Sequence, residues 1–519
     1  MRFVRRDDVR TGRRRTALAA GAGAAALAAS LIGLTATAQQ KSAAPADAAA
    51  PAASSPQAAA PVSPPTLLIQ PFRPDQLELV LKTLDEAESH GFAPGAYSTE
   101  AARRLLASRD EAERAQGDAL LRRVLVAYAK AQHGDRILQV KAPADWALKP
   151  PPYDAEAALT AALAENKLGA WLDSLAPPFP VYGQLRMFLT RYGAVAAKGG
   201  WAPVADGAAL KPGMSDPRVP VLRKRLAVED SAVNGAEPSP VYDPMLVEAV
   251  QRFQARQGFT PDGVVGRATR TALNIPADDR IMQLRANLER WRWLPRDLPA
   301  TRVDVNIPGA HMTLYRDGKP ALDMRAVAGR PGDETPMLQS AIHTIVLNPP
   351  WNVPTSIASK ELWPKARANP GYLEREGYVV LSTEGGGQRL QQKPGPKNAL
   401  GRIKFDFDNP FAVYLHDTPN RAAFSRDQRA VSHGCVRLER PMDLAKALFS
   451  GNPDWNDQKI AGVLADEETV KAQLAEKTPV FLLYWTAYVD TKGVLNFRPD
   501  IYNWDKALLG LLDAGRESA

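Results

Sequence analysis

One cysteine stands in 519 residues. Cys435 can form no internal bridge, so a disulfide-stapled architecture is excluded. Histidine is almost as scarce, with six in the chain, and neither a CxxC pair nor an HExxH stretch is present to make a strong metal site. No nucleotide-binding glycine loop and no internal repeat is evident. Charge of one sign is also short once it is located. Of the formal +8, residues 1–15 carry +5 through seven arginines against Asp7 and Asp8, leaving +3 for everything else. That is too little to hold a polyanion, so nucleic acid is not an expected partner. What is there suits globular folding: 45% hydrophobic and 7% aromatic residues, in a chain long enough for two to four domains.

The basic segment ending at Arg13-Arg14-Arg15 runs into an uncharged, Ala-rich stretch from Thr16 to Ala38. This pattern is an export signal. Ala36-Thr37-Ala38 fits a small-residue cleavage site, while the run is also long enough to stay in the inner membrane as an anchor. The paired arginines have poor surroundings for a twin-arginine signal. A single thiol in an exported chain is either incidental or reactive.

Residues 39–65 are nearly all Ala, Pro and Ser and read as a linker. Over 66–200, apolar residues recur at helical spacing, as in Leu77, Leu79, Val80 and Leu84, and again in Leu120, Leu121, Val124, Leu125 and Tyr128, which predicts a helical scaffold. His90 and His133 stand alone there, and structural roles are expected for both. Residues 205–275 carry Val219, Leu222 and Leu226 on one face, and Val247, Val250, Phe253 and Phe259 around the turn Pro261-Asp262-Gly263, which predicts short helices on a small core. From residue 301 the period changes to alternation, with strand-like runs at Val303–Ile307, Ile342–Leu347, Phe411–Leu415 and Val480–Tyr484, and a helix over Met442–Phe449. The fold class expected is multi-domain α+β.

Two of the six histidines, His416 and His433, fall in the 20 residues that end at Cys435. A thiolate is the nucleophile in cysteine catalysis, and a neighbouring imidazole is its usual activator. His416 ends an apolar run; His433 lies two residues before the thiol and shares its face if that segment is extended. Either histidine can serve as base. Gly434 leaves room for a substrate backbone and frees the main chain for unusual dihedrals, so amides there can hold an oxyanion. His-x-Cys with a distant His lacks the spacing of a zinc site, and no metal is expected. A papain-like order is absent, since the histidine precedes the cysteine.

The run YLHDTPNRAAFSRDQRAVSHGCVRLERPMDLA resembles the signature of the YkuD-type L,D-transpeptidases. VAGRPGDETPMLQSAIHTIVLNPPWNVP and GPKNALGRIKFDFDN resemble the larger multi-domain members, and DPRVPVLRKRL with AVQRFQARQGFTPDGVVGRATRTALN resembles the three-helix peptidoglycan-binding module. The resemblance implies a mixed β-sandwich-like catalytic domain over 301–486 with a lid insertion at 352–395, a peptidoglycan-binding module over 205–275, and a C-terminal extension over 487–519. It further implies an exported, cofactor-free enzyme of the periplasm, expected to be a monomer, acting on peptidoglycan stem peptides and glycan. The Cys435 thiolate would expel a terminal D-Ala and pass the acyl group to another stem, giving a 3-3 cross-link. Hydrolysis, amino-acid exchange or protein attachment would use the same acyl-enzyme; a non-catalytic wall-binding scaffold is the alternative of another class. By the same resemblance His416 is the base, with the Asp417 main chain orienting it. His433 and Gly434 form the oxyanion and substrate wall, and Arg437, Ser432 and Trp351 border substrate.

Overall fold

The computed structural model describes residues 70–233 and 239–514. The expected export signal (1–38) and linker (39–65) lie outside the described residues, as do residues 515–519 of the expected C-terminal extension. Among the described residues no helix is long and apolar enough to cross a membrane.

The region that follows is helical. Asp110 and Asp154 each accept backbone N–H groups at the start of a helix, setting the N-termini of Glu111–Gln132 and Ala155–Ala164. Pro180 opens the helix Pro180–Ala196, where its missing N–H costs nothing. Val80, Leu84, Leu121, Leu125 and Tyr128 bury as their spacing requires, but Leu79 points to solvent at 42% exposure. His90 is buried with Nδ1 3.1 Å from the Tyr182 hydroxyl, and His133 stacks on Tyr153, so both are satisfied in place.

Three short helices, Val219–Ala227, Pro244–Gln257 and Arg267–Leu273, form the next unit. Val219, Leu222, Leu226, Val250 and Phe253 meet in its core, with Val247 and Phe259 at the edge. Gly258 ends the second helix in the left-handed conformation. A helix that sequence spacing did not single out, Ala277–Trp291, then carries Leu284 and Leu288 into the main core.

That core belongs to a nine-stranded mixed sheet. Its strands are β1 (Arg302–Asn306), β2 (His311–Arg316), β3 (Lys319–Gly329), β4 (Leu338–Leu347), β8 (Ile403–Phe407), β9 (Leu415–His416), β10 (Ala430–Ser432), β11 (Val436–Leu438) and β12 (Val470–Leu483). Intervening strands β5 (Trp351–Asn352), β6 (Tyr378–Ser382) and β7 (Gln388–Gln392) form a separate small sheet. The main order is β10-β3-β11-β9-β8-β4-β12-β1-β2, and β2 also pairs with β3, so the sheet folds over and closes on itself. Val303, Val305, Ile345, Phe405, Leu415, Val436 and Val480 line the enclosed core, as period-2 alternation requires.

The insertion between β4 and β8 holds its own small core of Val353, Ala358, Leu362 and Leu390, with Trp351, Trp363 and Tyr378 against it. Buried Asn398 closes its base, donating to the carbonyls of Pro349 and Lys393 at 3.1 and 2.9 Å. Residues 487–514 are no appendage. After the hairpin β13 (Ala487–Val489) and β14 (Leu495–Phe497), the helix Trp504–Ala514 puts Trp504, Leu508 and Leu512 into the same core as Trp146 and Leu284.

The run Phe411–Leu415 is a strand only at its end. Asn409 accepts the N–H groups of Phe411 and Val413, both at 3.1 Å, and Ala412 takes φ +53°, so the chain loops before it pairs.

Candidate active site

Strands β9 and β11 run parallel, with Leu415 opposite Val436 and His416 opposite Arg437. Since Leu415 and Val436 face the core, alternation puts His416 and Arg437 on the other face, and extends that face to Tyr414 and Cys435 at the strand entries. The sheet thereby brings together a thiol, a phenol, an imidazole and a guanidinium from two short strands.

Burial pushes the Cys435 thiol above its ordinary value. The Tyr414 backbone N–H and hydroxyl, then Lys404 and Arg437, pull the other way without overcoming it. Burial first, then the neighbouring thiol, pushes the Tyr414 hydroxyl up as well. Lys404 Nζ sits 4.3 Å above the Tyr414 ring and is held by Asp406 at 2.6 Å.

His416 is buried, at 4% exposure, and its ring lies 5.5 Å from that of Tyr414. Burial, helped by the charge of Arg437, pushes its pKa down to about 3, while the carbonyls of Asp417 and Leu400 favour the protonated ring. The imidazole is therefore neutral at ordinary pH, and Nδ1 is buried without a hydrogen-bond partner of good geometry. The Asp417 carboxylate is turned away from the ring. It accepts from the Arg402 N–H and from Arg421, each at 2.8 Å.

Arg437 has Nε buried without a partner and, among the described residues, no carboxylate at ion-pair distance. A half-buried cation without a counter-ion is costly, so it is a ready site for an anionic group.

The segment between the strands is bent, not extended. Gly434 takes φ +107°, which is open to glycine and strained for other residues. His433 consequently leaves the face of Cys435 and reaches the insertion, where its Nε2 is 2.7 Å from Glu361 Oε1. Ser432, expected to touch substrate, is 2% exposed and spent inside the turn: its hydroxyl donates to the Cys435 carbonyl at 2.6 Å and accepts from the Gly434 N–H at 3.2 Å. Trp351 packs in the core of the insertion and its indole reaches Tyr414. His311 pairs with Asp323, and His343 with Thr344 and Asp408, away from this face.

Tyr414, Lys404 and Glu361 were not singled out from sequence. Tyr414 had a signal, since it lies two residues before His416 and so shares its face; the other two had none. Among the described residues, no cluster of His, Cys, Asp and Glu is arranged to hold a metal ion.

A lone thiol, a buried neutral imidazole and an unpaired guanidinium on one face of a closed mixed sheet make a candidate cysteine-centred site. The L,D-transpeptidase catalytic domain of the YkuD family matches residues 300–454, a scaffold domain matches 71–189, and a domain described provisionally as peptidoglycan-binding matches 215–273. These three stretches of the chain are thus each similar to a described domain. A Haemophilus influenzae protein provisionally named an L,D-transpeptidase is 35% identical over 242 residues, covering 44% of this chain and 48% of that protein. The chain therefore spans about half the length of this curated relative. Among solved structures, an L,D-transpeptidase from Mycobacterium smegmatis is 15% identical over 36% of this chain and 58% of its own, at a TM-score of 0.20. One from Xylanimonas cellulosilytica is 17% identical over 54% and 99%, at 0.18. Both likenesses are too partial to bear on the fold.

Proposed function

We propose that this protein is an exported L,D-transpeptidase that makes 3-3 cross-links in peptidoglycan through a thioester on Cys435. The observation that carries the reading is the shared face of Cys435, Tyr414, His416 and Arg437 on β9 and β11.

The thiol is neutral at rest and so is His416, which favours proton transfer in step with attack over a stored ion pair. As the sulfur adds to the carbonyl of the third stem residue, His416 takes the thiol proton. The tetrahedral oxyanion collapses, the amide C–N bond breaks, and His416 returns the proton to the departing D-Ala amine. The acyl group stays on sulfur as a thioester. An amine from a second stem then attacks and gives its proton to His416, the C–S bond breaks, and His416 passes that proton to the departing sulfur, which restores the thiol. The Arg437 guanidinium, lacking a counter-ion, suits a carboxylate of the stem peptide. The insertion over 351–398 covers this face as a lid, and the three-helix module keeps the catalytic domain at the wall.

The test is incubation of the purified protein with disaccharide tetrapeptide, followed by mass spectrometry. Loss of D-Ala together with cross-linked dimers is expected, and Cys435→Ala abolishes both. Dimers formed by Cys435→Ala would overturn the mechanism. D-Ala loss without dimers would assign the acyl-enzyme to hydrolysis instead.

A further inference from the structure

Behind the turn that carries Cys435 lies a closed relay of hydroxyl groups. The Tyr502 hydroxyl donates to the Gly329 carbonyl at 2.6 Å and accepts the Thr335 N–H at 3.2 Å. The Thr335 hydroxyl accepts the Gly329 N–H at 2.8 Å and donates to the Gly434 carbonyl at 2.7 Å. A hydroxyl has one proton to give, and the Gly329 N–H already occupies an acceptor position on Thr335, so the direction of each bond is fixed. Thr335 is fully buried and Tyr502 is 8% exposed, so water does not compete for either.

Gly329 permits the relay to close. A Cβ there would lie 2.1 Å from the Asp333 carbonyl and 2.8 Å from the Thr335 nitrogen, so any side chain would drive 333–335 away from the turn.

The Gly434 carbonyl belongs to the peptide that ends at the Cys435 nitrogen. In a planar trans peptide the C=O and N–H point in opposite directions. With the carbonyl anchored on buried Thr335, the Cys435 N–H is aimed away from the interior, and it has no partner among the described residues. The neighbouring Gly434 N–H is spent on Ser432. Of the two amides of this turn, the Cys435 N–H alone is left to receive a developing oxyanion.

We infer that Thr335 and Tyr502 are positioning residues, which set the plane of the Gly434–Cys435 peptide so that the Cys435 N–H serves as an oxyanion donor. The inference rests on acyl transfer at Cys435. Neither residue touches substrate; each acts through the peptide it holds.

The full chain is compared with Thr335→Val, Thr335→Ser, Tyr502→Phe and Cys435→Ala for D-Ala release from disaccharide tetrapeptide, and for iodoacetamide alkylation of Cys435. Alkylation at sulfur forms no tetrahedral oxyanion, so it reports on the thiol without the amide. Thr335→Val is expected to lower kcat by about 10- to 100-fold, below the loss for removing an oxyanion donor outright. KM and alkylation rate stay within about twofold, and Thr335→Ser restores kcat to within about threefold. Tyr502→Phe lowers kcat in the same pattern to a smaller degree, and is read by the same criteria should the valine variant not fold. An unchanged kcat in the folded variant, or an alkylation rate that falls in parallel with kcat, overturns the inference. Retained D-Ala release by Cys435→Ala would instead remove the acyl-transfer reading beneath it, a separate failure visible before either positioning variant is made.

Discussion

Glu361 Oε1 lies 2.7 Å from His433 Nε2, joining the insertion to the residue two before Cys435. Glu361 sits in the π-helical turn Ala358–Leu362, a form of helix often found at functional sites. The pair is partly exposed, so its worth to global stability is small, about 0.5 kcal/mol. Glu361→Gln is expected to leave the melting temperature unchanged within error while amide exchange across 351–398 speeds up. Unaltered exchange would mean that the core of Val353, Leu362 and Leu390 holds the insertion without it.

The thiol offers a second check. Burial pushes Cys435 up, so its alkylation rate should climb with pH to a midpoint above that of a free cysteine, about 8.5. A plateau near pH 7 would reveal a thiolate already stabilised at rest.

His416→Ala should separate catalysis from thiol ionisation. Loss of the base is expected to cut D-Ala release by about 10²- to 10⁴-fold. The alkylation profile should move far less than D-Ala release, because burial, Tyr414, Lys404 and Arg437 are the leading influences on the thiol. His433→Ala, by contrast, removes the partner of Glu361 and should act on the insertion.

Acid stability follows from two buried imidazoles, His90 and His416, and the half-buried His133. Burial holds His90 down to about 2 and both His133 and His416 to about 3. Unfolded histidine binds its proton near 6.5, so below that pH the unfolded chain takes up protons that the native chain refuses. Stability is unaffected by these groups above pH 6.5 and is lost as pH falls from 6.5 towards 3, with each contributing up to about 1.4 kcal/mol per pH unit. Urea unfolding at pH 7, 5.5 and 4.5 should show the midpoint dropping, and His133→Phe, which keeps a ring for Tyr153, should reduce the slope.

Much of this site can be read from the chain because its parts are close in sequence. Cys435 and His416 stand out through the scarcity of their types, and period-2 alternation predicts that His416 faces away from Leu415. The same alternation misleads at Phe411–Leu415, where the Asn409 side chain captures two backbone N–H groups and turns the chain before it pairs. It also misleads at His433, because the left-handed Gly434 breaks the period between it and Cys435. Glu361 and Thr335 reach the turn across 72 and 99 residues, and no local pattern carries contacts of that span. Residues 487–514 look like an extension by position, yet Trp504 and Leu508 belong to the central core, since hydrophobic burial depends on where a helix lands.

The place of Tyr502 in the relay behind the catalytic turn has a consequence in time. The ribosome makes Cys435, His416 and Arg437 well before Tyr502, so a growing chain carries its whole reactive set while the Gly434–Cys435 peptide still lacks the hydroxyl that braces Thr335. Competence to transfer an acyl group would wait on the docking of Tyr502 and the helix Trp504–Ala514, and a chain cut short ahead of them would keep its thiol but lose the aim of its amide.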